Sequence, residues 1–243
     1  MIGILGFGRF GKLMAQYLAG DFDVMVYNRS DKAHEILASN AKPAPIDVAC
    51  RQKIIILSVP ISALRDTLKT IAPLLEPGAL VIDVCSVKEY PVRLMKELLP
   101  QQVAILATHP MFGPDSAAHA LKGRKIVLCG ERIDAPAYEK IKSYLISKGL
   151  VVIEATPEAH DRQIAISLAL THFIGRSLAE FGAEPLEVDT EGYQRLLHVL
   201  GVVENDTWQL FEDMNTYNPY AAESRSAFMA AVERIHRRLE KGA

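Results

Sequence analysis

The chain has 243 residues, 49% of them hydrophobic and 23% charged, with a formal net charge of -2; that is long for one compact domain, comfortable for two, and ordinary for a soluble globular protein. The near-neutral balance recommends neither nucleic acid nor an anionic membrane as a partner. No apolar run approaches the roughly 18 residues of a membrane span, and the opening MIGILGFG lacks a signal peptide's basic start and cleavage site, so the cytoplasm is the expected location.

In chain order, short β-branched apolar runs alternate with amphipathic segments of helical length, the pattern of parallel βαβ units. Strands are predicted over residues 2–5, 24–27, 54–58, 80–84, 103–107 and 125–128, with 151–154 as a last one; helices are predicted over 10–18, 63–72, 91–98 and 135–148. Continuous apolar strands imply a sheet covered on both faces, so residues 1–155 read as a doubly wound parallel Rossmann sheet that binds a dinucleotide. From residue 156 to 243 the character changes to helix, with long segments at 158–181, 190–217 and 221–241 separated by brief breakers. A helical unit this small should bury apolar faces against a second copy of itself, which makes a homodimer the expected assembly. Cys50, Cys85 and Cys129 are an odd, widely spaced set that suits small buried hydrophobes in a reducing compartment and offers no metal site.

The opening GILGFGRFG places Gly6, Gly8 and Gly11 in the G-x-G-x-x-G arrangement between the first strand and the first helix. Gly6 permits the tight turn, Gly8 lets the backbone approach a pyrophosphate, and Gly11 lets the helix lie close to the strand; Phe7, Arg9 and Phe10 complete the loop, whose helix N-terminus offers unpaired N–H groups. The second strand ends on Asn28-Arg29-Ser30, with Lys32 close behind. An acidic residue there favours NAD, whereas an arginine, a hydroxyl and an amide can bond a 2'-phosphate, so NADP is the expected cofactor and NAD the weaker alternative.

Ligands of an open parallel sheet bind at the carboxyl ends of the strands. The third strand ends in Ser58-Val59-Pro60, a wall for the cofactor. The fourth ends in Asp83-Val84-Cys85-Ser86-Val87-Lys88, offering a hydroxyl and an ammonium at the rim. The fifth ends in Thr108-His109-Pro110-Met111-Phe112-Gly113. A histidine on a rigid, proline-flanked turn there can take a proton from a substrate hydroxyl while hydride leaves the same carbon for nicotinamide. Ser86, Lys88 and His109 are the expected catalytic cluster, with Met111 and Gly113 beside the small-molecule substrate.

The runs GFGRFG, NRS, DVCSVKEYP, LATHPMFGPDS, HDRQ and THFIGR together resemble the prephenate and arogenate dehydrogenase family of tyrosine biosynthesis, in particular its compact, plant-type arogenate dehydrogenases. The resemblance runs in order from Met1 to about Tyr220. It implies that His109 bonds the ring hydroxyl, that Ser86 orients it, that NADP takes hydride while the ring carboxylate leaves as carbon dioxide, and that the helical domains intertwine in a homodimer. It also aligns Glu204 to Trp208 with the region where an acidic residue accompanies arogenate and its amide counterpart accompanies prephenate. Asp206 is acidic and could pair with arogenate's ammonium, whereas prephenate offers a ketone. A carboxylate that merely caps or solvates a helix is the alternative role for Asp206.

The chain departs from the prephenate-specific members in two places. It has Ser167-Leu168-Ala169-Leu170-Thr171-His172 where they carry a serine-histidine-leucine-proline run, and it lacks their arginine-rich run later. His172 is retained as a substrate contact. Arg176 is left aside, since it could reach a substrate carboxylate or simply pair with Glu180. Alternatives are a prephenate dehydrogenase giving 4-hydroxyphenylpyruvate, another NADP-dependent Rossmann oxidoreductase, and a catalytically silent dinucleotide sensor.

Overall fold

The structure, a computed structural model, describes residues 1–240. The chain divides into two units, with the boundary between Pro157 and Glu158. The first contains β1 (Ile2–Leu5), α1 (Arg9–Leu18), β2 (Val24–Tyr27), α2 (Ala33–Ala38), β3 (Lys42–Pro43), α3 (Ile46–Cys50), β4 (Ile54–Leu57), α4 (Leu64–Ile71), β5 (Leu80–Asp83), α5 (Glu89–Leu98), β6 (Ala104–Pro110), β7 (Lys125–Arg132), α6 (Ala135–Ser147) and β8 (Val151–Glu154). The eight strands form one sheet in the order β3-β2-β1-β4-β5-β6-β7-β8. The register is regular at the centre, where Ile2 lies opposite both Val24 and Ile54. β1 and β5 are buried along their whole length, as a sheet covered on both faces requires.

Three features differ from the sequence expectation. β6 does not stop at residue 107 but continues to Pro110, because β7 pairs antiparallel with it and supplies partners as far as Ile126. β7 likewise runs on to Arg132, so the sheet is mostly rather than wholly parallel. The short elements α2, β3 and α3 lie between β2 and β4, in a stretch whose apolar pattern is too short to read as periodic. The three cysteines are free and buried; burial and nearby Asp47 push the Cys50 thiol up to about 11, as suits an inert core residue.

The second unit is all helical. Its first helix runs unbroken over Pro157–Phe181, 25 residues, as α7 (Pro157–Ile164), a π-helical turn (Ala165–Leu170) and α8 (Thr171–Phe181). Although no single apolar run marks it in the sequence, this helix is long and apolar enough by composition to cross a membrane. Within its own unit it serves as a packing element: Ala169 clusters with Met214 and Ala221, and His160, Asp161 and His172 are buried along it. Gly175 sets the close approach to α9 (Glu191–Glu204), since a Cβ there would run into Val203.

The expected helix over 190–217 is interrupted at Asn205-Asp206-Thr207. Thr207 takes an extended conformation and its hydroxyl accepts from the Leu210 N–H, starting α10 (Trp208–Thr216) with a side-chain cap. α11 (Ala221–Glu240) closes the described chain, and Lys241 of the expected 221–241 helix lies outside the described residues.

Candidate active site

The glycine loop is fixed by backbone geometry. Gly6 has φ +100°, and a Cβ there would strike the Ser58 carbonyl, so only glycine fits between β1 and the end of β4. The Gly6 N–H donates to the Tyr27 carbonyl (2.9 Å), and the N–H of buried Phe7 donates to Asn28 Oδ1 (2.9 Å). Asn28, expected to touch the cofactor, is thus engaged in holding the loop; its Nδ2 donates to the Ser30 carbonyl and hydroxyl at 3.0 Å. At Gly8 nothing lies within 4 Å of a Cβ position, and the α1 N-terminus has no side-chain cap. Open space over exposed N–H groups is what a pyrophosphate needs, so these residues fit a dinucleotide. Arg29 and Ser30 are exposed at the β2 end, and Lys32 sits 3.8 Å from Glu35. Ser58 and Val59 are half-buried beside the loop, and Pro60 is exposed.

The segment after His109 lies against this loop. Arg9 pairs with Asp115 (2.6 Å), the Phe10 and Phe112 rings are 6.1 Å apart, and the Tyr17 hydroxyl donates to the Ala117 carbonyl (2.8 Å). Three β-strand spacings, about 14 Å, separate β1 from β6, and the 110–117 segment spans that distance. Met111 and Gly113 sit on it, half-buried; the Gly113 N–H donates to Ser116 Oγ (3.1 Å).

His109 lies inside β6, opposite Val127, and is 6% exposed. The sequence reading put it on a turn just past the strand, and the antiparallel β7 is what makes the difference. Beside it the ends of β5 and β6 are clasped together. The Lys88 ammonium donates to Asp83 Oδ2 and to the Thr108 carbonyl, the Cys85 N–H donates to Asp83 Oδ2 (3.0 Å), and Thr108 Oγ1 donates to the Asp83 carbonyl (2.7 Å). Lys88 was expected to present its charge at the rim. It is instead fully buried, as is Asp83, because an ammonium taken out of water needs a carboxylate and acceptors at once. The turn between Asp83 and Lys88 carries Ser86, whose buried Oγ has no hydrogen-bond partner among the described residues. A hydroxyl left unpaired on a fixed turn is available to a ligand.

In the helical unit, His172 Nε2 lies 3.7 Å from Asp206 Oδ2. Arg176, one turn further along α8, donates to the Asp206 carbonyl and lies with its guanidinium carbon 4.6 Å from the Trp208 ring centroid. Burial holds the His172 imidazole below its ordinary range; the Asp206 charge opposes this and the Arg176 charge adds to it. Among the described residues, buried His172 Nδ1 and Arg176 Nε have no hydrogen-bond partner. A second buried pair, His160 Nδ1 with Asp161 Oδ1 at 2.7 Å, is tied to the α10–α11 junction by Asn218, which donates to the Asp161 carbonyl (2.9 Å).

Residues 24–154 match the family model described as prephenate dehydrogenase, nucleotide-binding domain, and residues 177–243 match one described as TYRAAT1-like, C-terminal domain. Over 249 residues the chain is 32% identical to arogenate dehydrogenase 2, chloroplastic, of Arabidopsis thaliana, spanning 98% of this chain and 69% of that one. The chain belongs to the prephenate and arogenate dehydrogenase family. The fold agrees: the crystal structure of Synechocystis arogenate dehydrogenase superposes with a TM-score of 0.74 at 22% identity, covering 99% of this chain and 92% of that chain. Prephenate dehydrogenase of Aquifex aeolicus, in complex with hydroxyphenyl propionate and NAD+, gives 0.75 at 20% identity, covering 98% and 90%.

As a member of this oxidoreductase family the protein carries a nucleotide-binding dehydrogenase domain in its first unit. Sequence reading missed Asp83, Thr108 and Asp115 as site-shaping residues and left Arg176 aside. Asp83 carried a signal, a carboxylate as the last residue of an otherwise apolar strand, which demands a buried counter-charge. For Arg176 the sequence offered a substrate carboxylate or Glu180, and its partner is a main-chain carbonyl 30 residues away.

Proposed function

We propose that this family member is an NADP-dependent arogenate dehydrogenase, converting L-arogenate to L-tyrosine with loss of carbon dioxide. The observation that carries the substrate choice is the Asp206 carboxylate, 29% exposed and 3.7 Å from His172. A partly open carboxylate favours arogenate's side-chain ammonium and disfavours prephenate's ketone. For the cofactor, β2 ends without an acidic residue, and Arg29 is exposed and makes no ion pair among the described residues, so a 2'-phosphate meets attraction there.

Bound NADP supplies the hydride acceptor for the ring carbon that bears the hydroxyl. His109 accepts the proton of that hydroxyl, which requires its imidazole to be neutral, and the unpaired Ser86 Oγ orients the same group. As the carbon–oxygen double bond forms, the ring carboxylate departs as carbon dioxide. Its bonding electrons complete the aromatic ring and reach the oxygen, which recovers a proton as a phenol; aromatisation makes the step irreversible. Asp83, Lys88 and Thr108 keep the ends of β5 and β6, and hence Ser86 and His109, at fixed separation. Two copies associate through the helical unit, a reading supported by the apolar side chains it leaves exposed, among them Phe181, Val188 and Ile235. Three free cysteines suit a reducing, cytoplasmic setting.

The test is reduced-nicotinamide absorbance with each pairing of NAD or NADP and arogenate or prephenate. NADP with arogenate gives the highest kcat/KM. A faster rate with prephenate overturns the substrate assignment, and a faster rate with NAD overturns the cofactor assignment.

A further inference from the structure

Between α9 and α10 the chain turns on Asn205-Asp206-Thr207, with Asp206 half-buried between two exposed neighbours. The Asn205 and Asp206 N–H groups donate to the Val203 carbonyl, the latter at 3.2 Å, and Thr207 caps α10. These bonds engage the Asp206 main chain and leave its carboxylate to be directed by what holds the turn. Arg176 grips the turn from α8 at two points. One guanidinium nitrogen donates to the Asp206 carbonyl, and the guanidinium lies over the Trp208 ring at 4.6 Å. These two contacts fall on the Asp206 carbonyl and two residues after it, and so restrict the backbone that leads from Asp206 into α10. Arg176 and His172 are four residues apart on one helical face, so the grip that holds the turn also sets it against His172, where Asp206 Oδ2 comes within 3.7 Å of Nε2. Only a planar, forked cation can donate in its plane and stack by its face at once, which a lysine cannot do.

We infer that Arg176 is a positioning residue for substrate choice: it clamps the α9–α10 turn so that the Asp206 carboxylate stands beside His172, presented to a cationic amine. This rests on the reading of Asp206 as the partner of arogenate's ammonium, but the clamp itself can be tested without any turnover. Trp208 is the only tryptophan of the chain, so its fluorescence reports the clamp directly.

Arg176→Lys, which keeps the charge, and Arg176→Gln, which keeps a donor, are compared with the wild type as full-length proteins. In either variant acrylamide quenching of Trp208 rises as the indole face is uncovered. The arogenate-to-prephenate ratio of kcat/KM falls by about tenfold or more, the scale of one charged hydrogen bond, while KM for NADP stays unchanged. In an Asp206→Asn background, Arg176→Lys leaves that ratio where Asp206→Asn alone sets it. Unchanged quenching overturns the clamp. Equal losses on both substrates overturn positioning and assign Arg176 to a carboxylate that the two share. A wild type that does not use arogenate refutes the proposed function, and the quenching result still decides whether the clamp exists.

Discussion

The two units hold their polar groups in different ways. In the first, an open sheet with buried strands carries them inside it: Asp83, Lys88, Thr108 and His109 are all at most 6% exposed, each at a strand end or just beyond one. The second also buries polar groups along its first helix, His160, Asp161 and His172, yet leaves large apolar side chains such as Phe181 and Val188 81% and 90% exposed. There the one acidic side chain that reads as a selector depends on a turn held by Arg176. The contrast separates chemistry from choice: the groups proposed to move the proton are fixed by the sheet, and the one proposed to choose the substrate sits on a turn between two helices.

That contrast can be broken first at the proton acceptor. His109→Asn keeps NADP binding, measured by calorimetry, while turnover falls by about 100-fold to 10,000-fold, the range of general-base catalysis; near wild-type turnover would remove His109 from that role. Next is the clasp. Lys88→Met leaves the Asp83 carboxylate buried and unpaired, and chemical denaturation should show a loss of roughly 3–5 kcal/mol in the first unit. A variant as stable as the wild type would show that the Asp83–Lys88 pair does not clasp the strand ends.

Much of the first unit was legible because its strands are continuous apolar runs and its glycine loop has a fixed spacing. His109 was legible as a residue but not as a place. Nothing local in Thr108-His109-Pro110 says that an antiparallel β7 will extend β6 over it, and a proline at the strand end argues for the turn that the sequence reading chose. Lys88 was misplaced for a related reason: its charge marks it for solvent until Asp83, five residues earlier, is seen to be buried too. In the helical unit the break at Asp206 was half visible in Thr207, a good cap, whereas Arg176 was left between a substrate carboxylate and Glu180 and has a main-chain partner 30 residues away.

The second unit offers smaller effects. Asp206→Asn should lower the arogenate-to-prephenate preference by roughly tenfold to a hundredfold, the worth of one charged hydrogen bond; steady-state kinetics on both substrates checks it, and an unchanged ratio would detach Asp206 from selection. Along α11, Met229, Val232, Ile235 and Leu239 follow one helical face and are all exposed. Covering a side chain of this size contributes about 1.5–3 kcal/mol, so for the proposed dimer Ile235→Asp should lower the mass measured by light scattering to that of a monomer; an unaltered mass would remove this face from the proposed interface. The smallest effect is on pH. His172 titrates below its ordinary range when folded, so the unfolded chain binds its proton more readily. The stability this gives is complete above about pH 6.5, the unfolded value, and is lost as pH falls below it. Melting temperature should drop less between pH 7.5 and 5.5 in His172→Asn than in the wild type, and an equal drop would show that His172 is not the group responsible.

Stoichiometry tests the proposed chemistry most directly. With arogenate and NADP, the wild-type enzyme should release one carbon dioxide for each NADPH formed, and His109→Asn should form both about 100-fold to 10,000-fold more slowly. NADPH without carbon dioxide would contradict the account, because it would mean a simple alcohol oxidation in which the ring carboxylate stays in place.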